Sequence, residues 1–319
     1  VKIGVVGAGA IGLTLAAGLA AKHDVVVLAR RSEVADEIER NGVTVVTPGV
    51  ELAPDVEIAP DGELAPDREV RVALRASADP RAFADRDAVI VAVKSHATRA
   101  ALEPLRGVLP PHALVVSVQN GLDNDLAARE ALPGAHFVSG STSQGAIALG
   151  PGRVRPIGRG VTTFARDERA APTSDELAAA FAAAGLDARV VDDATPLLWR
   201  KLVVNAAINP LGALARRTNG DVVSDPDLVP LARALVAEAV AVAASAGVAV
   251  DDPWAMVEAA GRASAANRNS MLQDLDAGRP TEIDAISGAL LRRAAAHGIA
   301  VPLTETVARL VRARERSAS

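Results

Sequence analysis

The constraint that most narrows what this chain can fold into lies in its first 28 residues. An apolar run, Val1 to Val6, leads straight into Gly7-Ala8-Gly9-Ala10-Ile11-Gly12, an Ala-rich helical pattern follows, and Val25-Val26-Val27-Leu28 returns to strand character. Strand, tight turn, helix and strand are the context in which G-x-G-x-x-G carries meaning. Gly7 permits the turn, Gly9 lets backbone N–H groups approach a pyrophosphate, and Gly12 lets helix and strand pack closely. Ala8, Ala10 and Ile11 complete the loop, and the helix N-terminus adds unpaired N–H groups and a positive dipole end. A secretory leader would also be apolar with an early Lys2, but three glycines at this spacing and an immediate second strand argue against it. The expected ligand class is therefore a dinucleotide.

The end of the second strand bears on which one. A carboxylate there holds the ribose 2′-hydroxyl of NAD. This chain instead reads Leu28-Ala29-Arg30-Arg31-Ser32. A carboxylate would repel a 2′-phosphate, whereas a guanidinium can hold one bidentately. The expectation is NADP(H), with Arg30 on the phosphate. Glu33 is near in sequence, and two exposed arginines merely solvating a helix start is the competing reading.

The rest of the chain reads as two domains. At 319 residues, length alone favours two. Val43–Thr47, Ala88–Val93 and Leu114–Val118 read as strands, and Ser32–Arg40 as a short helix. Residues 135–191 mix short strands with a helix at 174–184, read as an antiparallel extension of the sheet. From Thr195 onward strand signals vanish, and helices are expected over 196–217, 227–247, 252–264, 268–277 and 281–297. The expected organisation is thus an α/β Rossmann-type dinucleotide-binding domain over 1–192 and an all-α substrate and catalytic domain over 193–319. Residues 48–69, PGVELAPDVEIAPDGELAPDRE, repeat an acidic, Pro-containing unit three times and read as an edge hairpin or loop outside the core.

Composition excludes several chemistries. There is no Cys, hence no thiolate nucleophile or disulfide, and no Tyr, hence no phenolic proton donor. The five His are scattered with no HExxH-type pair, so no metal site is expected. A net charge of −5 argues against a nucleic-acid surface. No uninterrupted apolar span beyond the first segment suggests a membrane crossing. Absence of Cys fits a cytoplasmic protein. The Ala- and Val-rich run 227–247 is compatible with a homodimer seam as well as with intramolecular core.

Two polar islands interrupt the helical half. In PLLWRKLVVNAAINPLGALARRTNG, Lys201, Asn205 and Asn209 fall at i, i+4 and i+8, within an arc of roughly 80°. A polar stripe on an apolar helix is costly unless it faces a wet cleft or is fully hydrogen-bonded. A lysine in such a cleft has its pKa lowered by burial and can donate a proton near neutral pH. The alternative is that the asparagines satisfy backbone groups while Lys201 reaches out to solvent. The second island runs from Asn269-Ser270-Met271 to Gly278-Arg279-Pro280-Thr281-Glu282-Ile283-Asp284. Thr281 and Asp284 predict a capping box, with Glu282 in the first helical turn, where a carboxylate is favoured for structural reasons alone. Lys94 and Asn120 each follow the carboxyl end of a predicted strand, where ligands of open parallel sheets lie. An ordinary loop position is the alternative for both.

The glycine motif, KLVVNAAINP, the following Thr218-Asn219-Gly220, and SMLQDLDAGRPTEID together resemble the ketopantoate reductase family, in the same order and over most of the chain. The resemblance implies NADPH-dependent reduction of the 2-oxo acid 2-dehydropantoate to pantoate, on the route to pantothenate and coenzyme A. It implies Lys201 as general acid and Glu282 as the acid that hydrogen-bonds the substrate hydroxyl and also borders the cofactor. It implies Asn205, Asn209 and Asn219 as substrate-side asparagines and Ser270 on the substrate carboxylate. Lys94 and Asn120 would line the cofactor crevice, and Arg30 would meet the 2′-phosphate. Two departures stand out. Lys94 is followed by Ser95-His96-Ala97 where the family has a small residue, an aromatic and Gln, and the repeat at 48–69 replaces a short hairpin. Alternatives are a relative acting on another 2-oxo acid or an imine, a 3-hydroxyacid or sugar-acid dehydrogenase of the same domain plan, and an NADP(H)-binding sensor without turnover.

Overall fold

The computed structural model describes residues 1–47 and 67–317. The acidic repeat expected to form an edge hairpin or loop lies, up to residue 66, outside the described residues. Contacts group the rest into two compact units.

The first unit is built in chain order from β1 (Lys2–Val6), α1 (Ala10–Leu19), β2 (Asp24–Leu28), α2 (Ser32–Asn41), β3 (Val43–Thr47), β4 (Arg68–Val72), β5 (Arg75–Ser77), β6 (Ala88–Val91), α3 (Thr98–Leu102), β7 (Leu114–Ser117), α4 (Asn124–Ala131), β8 (His136–Thr142), β9 (Gly145–Gly150), β10 (Arg153–Ile157), β11 (Val161–Ala165), α5 (Ser174–Ala183) and β12 (Asp187–Val191). The main sheet has the order β12-β11-β8-β7-β6-β1-β2-β5. Strands β1, β2, β5, β6, β7 and β8 are mutually parallel. The apolar runs of the central strands β1, β2, β6 and β7 follow from burial on both faces. Ile3, Val5, Val89 and Val115 are fully buried.

The antiparallel extension is narrower than the sequence suggests. Among the described residues, only β11 meets the main sheet antiparallel, against β8, and β12 then pairs with β11 in parallel. Strands β9 and β10 leave the main sheet. They join β3 and β4 in a second sheet of order β4-β3-β10-β9. Val43 and Val154 carry that sheet into the same apolar cluster as Ile3, Leu13 and Ile90. Strand propensity marks such segments, but which sheet they enter depends on pairing more than a hundred residues away, as in Thr44 with Arg153.

The second unit contains α6 (Thr195–Ala215), α7 (Asn219–Ser224), α8 (Leu228–Ser245), α9 (Pro253–Ala263), α10 (Ser270–Asp276), α11 (Ile283–His297) and α12 (Pro302–Ser317). It also takes in two short segments from earlier in the chain, Lys94–His96 and Asn120–Asn124. Trp199, Leu202, Leu235, Val257, Leu272, Leu290 and Val311 form its continuous core. Helix α8 is long and apolar enough to cross a membrane by length and composition, yet Leu235, Val236, Ala239 and Val242 pack into that core. Helices α7 and α12 are additions to the sequence reading. The last is Arg-rich on one face and buries Thr304, Val307, Ala308 and Val311 on the other; Pro302 opens it and the Glu238 carboxylate accepts the Leu303 and Thr304 N–H groups at 2.9 and 2.7 Å. Those donors would otherwise be unsatisfied at a helix start.

Candidate active site

Helix α6 is continuous over 21 residues and passes through Pro210. Its length realises the expected stripe: Lys201 and Asn205 are half-buried and Asn209 is buried. Burial lowers the Lys201 pKa from 10.5 to about 8, because the ammonium loses hydration; the negative charge of Glu282 opposes part of that shift.

Glu282 is 7% exposed, and its carboxylate is held from several sides. Oε1 accepts from the Ser95 N–H at 3.1 Å and from Ser95 Oγ at 3.0 Å. Oε2 accepts from Asn120 Nδ2 at 2.8 Å and lies 3.8 Å from Lys94 Nζ. The single Ser95 hydroxyl proton is shared, since Oγ also lies 2.6 Å from the Asn120 carbonyl oxygen. Asn124 Nδ2 donates to that same carbonyl at 2.7 Å, which stiffens the Asn120 turn. Lys94 Nζ in turn donates to Asp274 Oδ2 at 2.7 Å, and Arg279 reaches the other oxygen, Oδ1, at 3.1 Å. Lys94, Lys201 and Arg279 thus face Asp274 and Glu282, a surplus of one positive charge that favours an anionic ligand.

The expected capping box at the start of α11 does not form. Glu282 is the cap residue itself, with φ −97° and ψ 25°, and makes no side-chain cap. Thr281 Oγ1 instead accepts from the Ile283 N–H at 3.1 Å, and Asp284 pairs with Arg312 at 2.6 Å. Both acids are drawn away by partners distant in sequence, which a local pattern does not reveal.

Asn219 opens α7. It is tied to the turn after α9: its N–H donates to the Asn267 carbonyl and its Nδ2 to Ser264 Oγ, both at 2.9 Å. Ser270 is exposed at the start of α10. Among the described residues, no group of three or more His, Asp or Glu could hold a metal ion.

In the first unit the glycine turn separates its three glycines by cause. Gly7 has φ +117°, a conformation L side chains rarely adopt, and its N–H donates to the Leu28 carbonyl at 3.0 Å. A Cβ on Gly12 would lie 2.0 Å from the Gly7 carbonyl oxygen. A Cβ on Gly9 would meet nothing within 4 Å. Packing within the protein demands the first and third glycines but not the second, so the space over Gly9 fits a group that approaches the backbone from outside. Gly9 also caps α1 without a side chain, leaving the N–H groups near Ala10 and Ile11 for such a group. Arg30 is exposed after β2 and makes no ion pair among the described residues.

A family model described as ketopantoate reductase PanE/ApbA matches residues 3–168, and the model for that family's C-terminal part matches residues 193–315. The chain belongs to the ketopantoate reductase family. It is similar to a 2-dehydropantoate 2-reductase of Halobacterium salinarum, 38% identical over 246 residues, 75% of this chain and 79% of the relative. A 2-dehydropantoate 2-reductase of Bacillus subtilis is 29% identical over 99% of this chain and 98% of its own. The crystal structure of a PanE/ApbA family ketopantoate reductase from Ralstonia eutropha superposes with TM-score 0.87 at 31% identity, covering 100% of this chain and 99% of that one.

Within this ketopantoate reductase fold, sequence reasoning missed Ser95, Asp274 and Arg279. Ser95 is noticed only as part of a departure, yet it gives Glu282 two donors. Asp274 had a signal: a carboxylate set among Met271, Leu272 and Leu275 on a short helix, 3% exposed in the structure, needs a partner.

Proposed function

We propose that this ketopantoate reductase reduces 2-dehydropantoate to pantoate with NADPH. The observation that carries the reading is the buried Glu282 carboxylate, gripped by Ser95 and Asn120 and coupled to a lysine whose pKa burial brings to about 8. A general acid works best with a pKa near the working pH. Lys201 Nζ gives its proton to the substrate's carbonyl oxygen as that oxygen gains charge, and its positive charge stabilises the developing alkoxide. Solvent then reprotonates Lys201.

Glu282 orients the substrate hydroxyl while Asn205, Asn209 and Asn219 shape the pocket. Ser270 takes the carboxylate, aided by the local surplus of positive charge. NADPH, when bound, supplies the hydride that this proton complements. Gly7, Ala8, Gly9, Ala10, Ile11 and Gly12 would hold its pyrophosphate, with the open face of Gly9 giving the room. Arg30 would hold its 2′-phosphate, and Lys94 and Asn120 would border it together with Glu282. The proposed division of labour is a dinucleotide-binding part over 1–192 and a substrate part over 193–319.

The test is loss of NADPH absorbance with 2-dehydropantoate, wild type beside Lys201→Ala. Turnover that the substitution cuts by about 10²- to 10⁴-fold is expected. Tight NADPH binding with no turnover overturns the substrate assignment and moves the test to other 2-oxo acids.

A further inference from the structure

Two residues of the helical unit break local rules together. Gly212 lies inside α6, where glycine is the poorest ordinary helix former. Asn269 caps α10 by accepting the Leu272 N–H on Oδ1 at 2.9 Å, while its Nδ2 is buried with no hydrogen-bond partner among the described residues. An orphaned buried donor is unfavourable, and an aspartate would cap as well without one. Each oddity explains the other. A Cβ on Gly212 would lie 2.4 Å from Asn269 Nδ2 and 3.2 Å from the Arg217 carbonyl oxygen. The amide therefore rests on bare α6 backbone, and it has little room to withdraw, because its other end is engaged in the cap and the residue is 6% exposed.

We infer that Gly212 and Asn269 form a lock that sets the approach of α10 to α6, and that they are positioning residues for Ser270, the next residue along. Lys201, Asn205 and Asn209 stand on α6, and Ser270 opens α10. The lock fixes how far the proposed carboxylate contact lies from the proposed proton donor. This rests on the reading of Ser270 given above.

The experiment compares Gly212→Ala, Asn269→Ser, the double variant and Ser270→Ala by KM for 2-dehydropantoate, KM for NADPH, kcat and thermal midpoint. Gly212→Ala is expected to raise the 2-oxo acid KM about tenfold or more while the NADPH KM stays within about twofold. Adding Asn269→Ser, which clears the space, is expected to bring the KM and the thermal midpoint back to those of Asn269→Ser alone. A wild-type KM in Gly212→Ala overturns the lock. So does a double variant whose losses are the product of the two singles. If Gly212→Ala does not fold, the double variant decides: folding with the KM of Asn269→Ser supports the lock, and failure to fold while Asn269→Ser folds overturns it. A raised KM in Ser270→Ala beside a wild-type KM in Gly212→Ala overturns this inference alone. A wild-type KM in Ser270→Ala overturns the substrate reading beneath it, and the inference with it.

Discussion

Replacing Lys201 by methionine should make the protein inactive and more stable. The Lys201 pKa falls from 10.5 to about 8 on folding, chiefly through loss of hydration. At about 1.36 kcal/mol per pH unit, the protonated side chain destabilises the fold by up to roughly 3 kcal/mol. The sign follows from proton binding. Between pH 8 and 10.5 the unfolded chain holds a proton that the native protein has shed, so stability rises with pH across that window. Below pH 8 both states are protonated and the full penalty is present. Methionine has the same unbranched reach and no charge, so Lys201→Met removes the penalty at pH 7. The gain, reduced by whatever packing differs, is expected to raise the midpoint of the transition that includes the helical unit by on the order of 5–10 °C. The assay is calorimetry or denaturant unfolding of both proteins at several pH values from 7 to 10.5, read as a difference so that all other titrations cancel. The advantage of Lys201→Met should shrink steadily above pH 8 and vanish near 10.5. A variant that is less stable at pH 7, or one whose difference from wild type does not change with pH, would refute the account of a desolvated catalytic ammonium.

Three further outcomes follow from the same geometry. Reduction by the wild type should lose kcat/KM above about pH 8, as Lys201 gives up its proton; in Glu282→Gln, which should lose about 10²-fold or more, the residual activity should decline from a lower pH, because the charge that raises the lysine pKa is gone, and an unmoved alkaline limb would separate the two groups. Ser95→Ala removes one of the donors on Glu282 Oε1 but keeps the N–H, so steady-state kinetics should show a loss of about tenfold in kcat/KM with the thermal midpoint little changed. Arg30→Ala should raise the KM for NADPH by about 10- to 100-fold and leave that for NADH nearly unaltered; equal effects on both would remove Arg30 from the 2′-phosphate.

Legibility from sequence tracks how local each constraint is. Gly7 and Gly12 are required by a turn and by a contact five residues apart, so the glycine motif announces itself. The Lys201 stripe depends only on helical period, and α6 keeps that period across Pro210. Glu282 was visible as a residue but not in its setting, since its donor Ser95 lies 187 positions away. A separation of 28 positions is already enough to undo the expected capping box. Thr281 and Asp284 satisfy the local pattern, yet Asp284 is claimed by Arg312 from α12. Asp274 and Arg279 sat within a motif already quoted, but nothing at short range pairs Asp274 with Lys94, 180 residues earlier.

The helical unit owns two pieces of chain that the gene encodes long before it, Lys94–His96 and Asn120–Asn124. It is therefore not a cassette that can be cut at Asp193 and transplanted. A fragment beginning there would carry Glu282 without the Ser95 and Asn120 donors and the Lys94 charge, leaving only Lys201 opposite its carboxylate. Recombination that exchanged the sheet-bearing unit for another would have to import those two short segments matched to the recipient's Glu282 and Asp274. Inheritance of the helical unit is thereby tied to two short segments that the chain supplies immediately after β6 and β7.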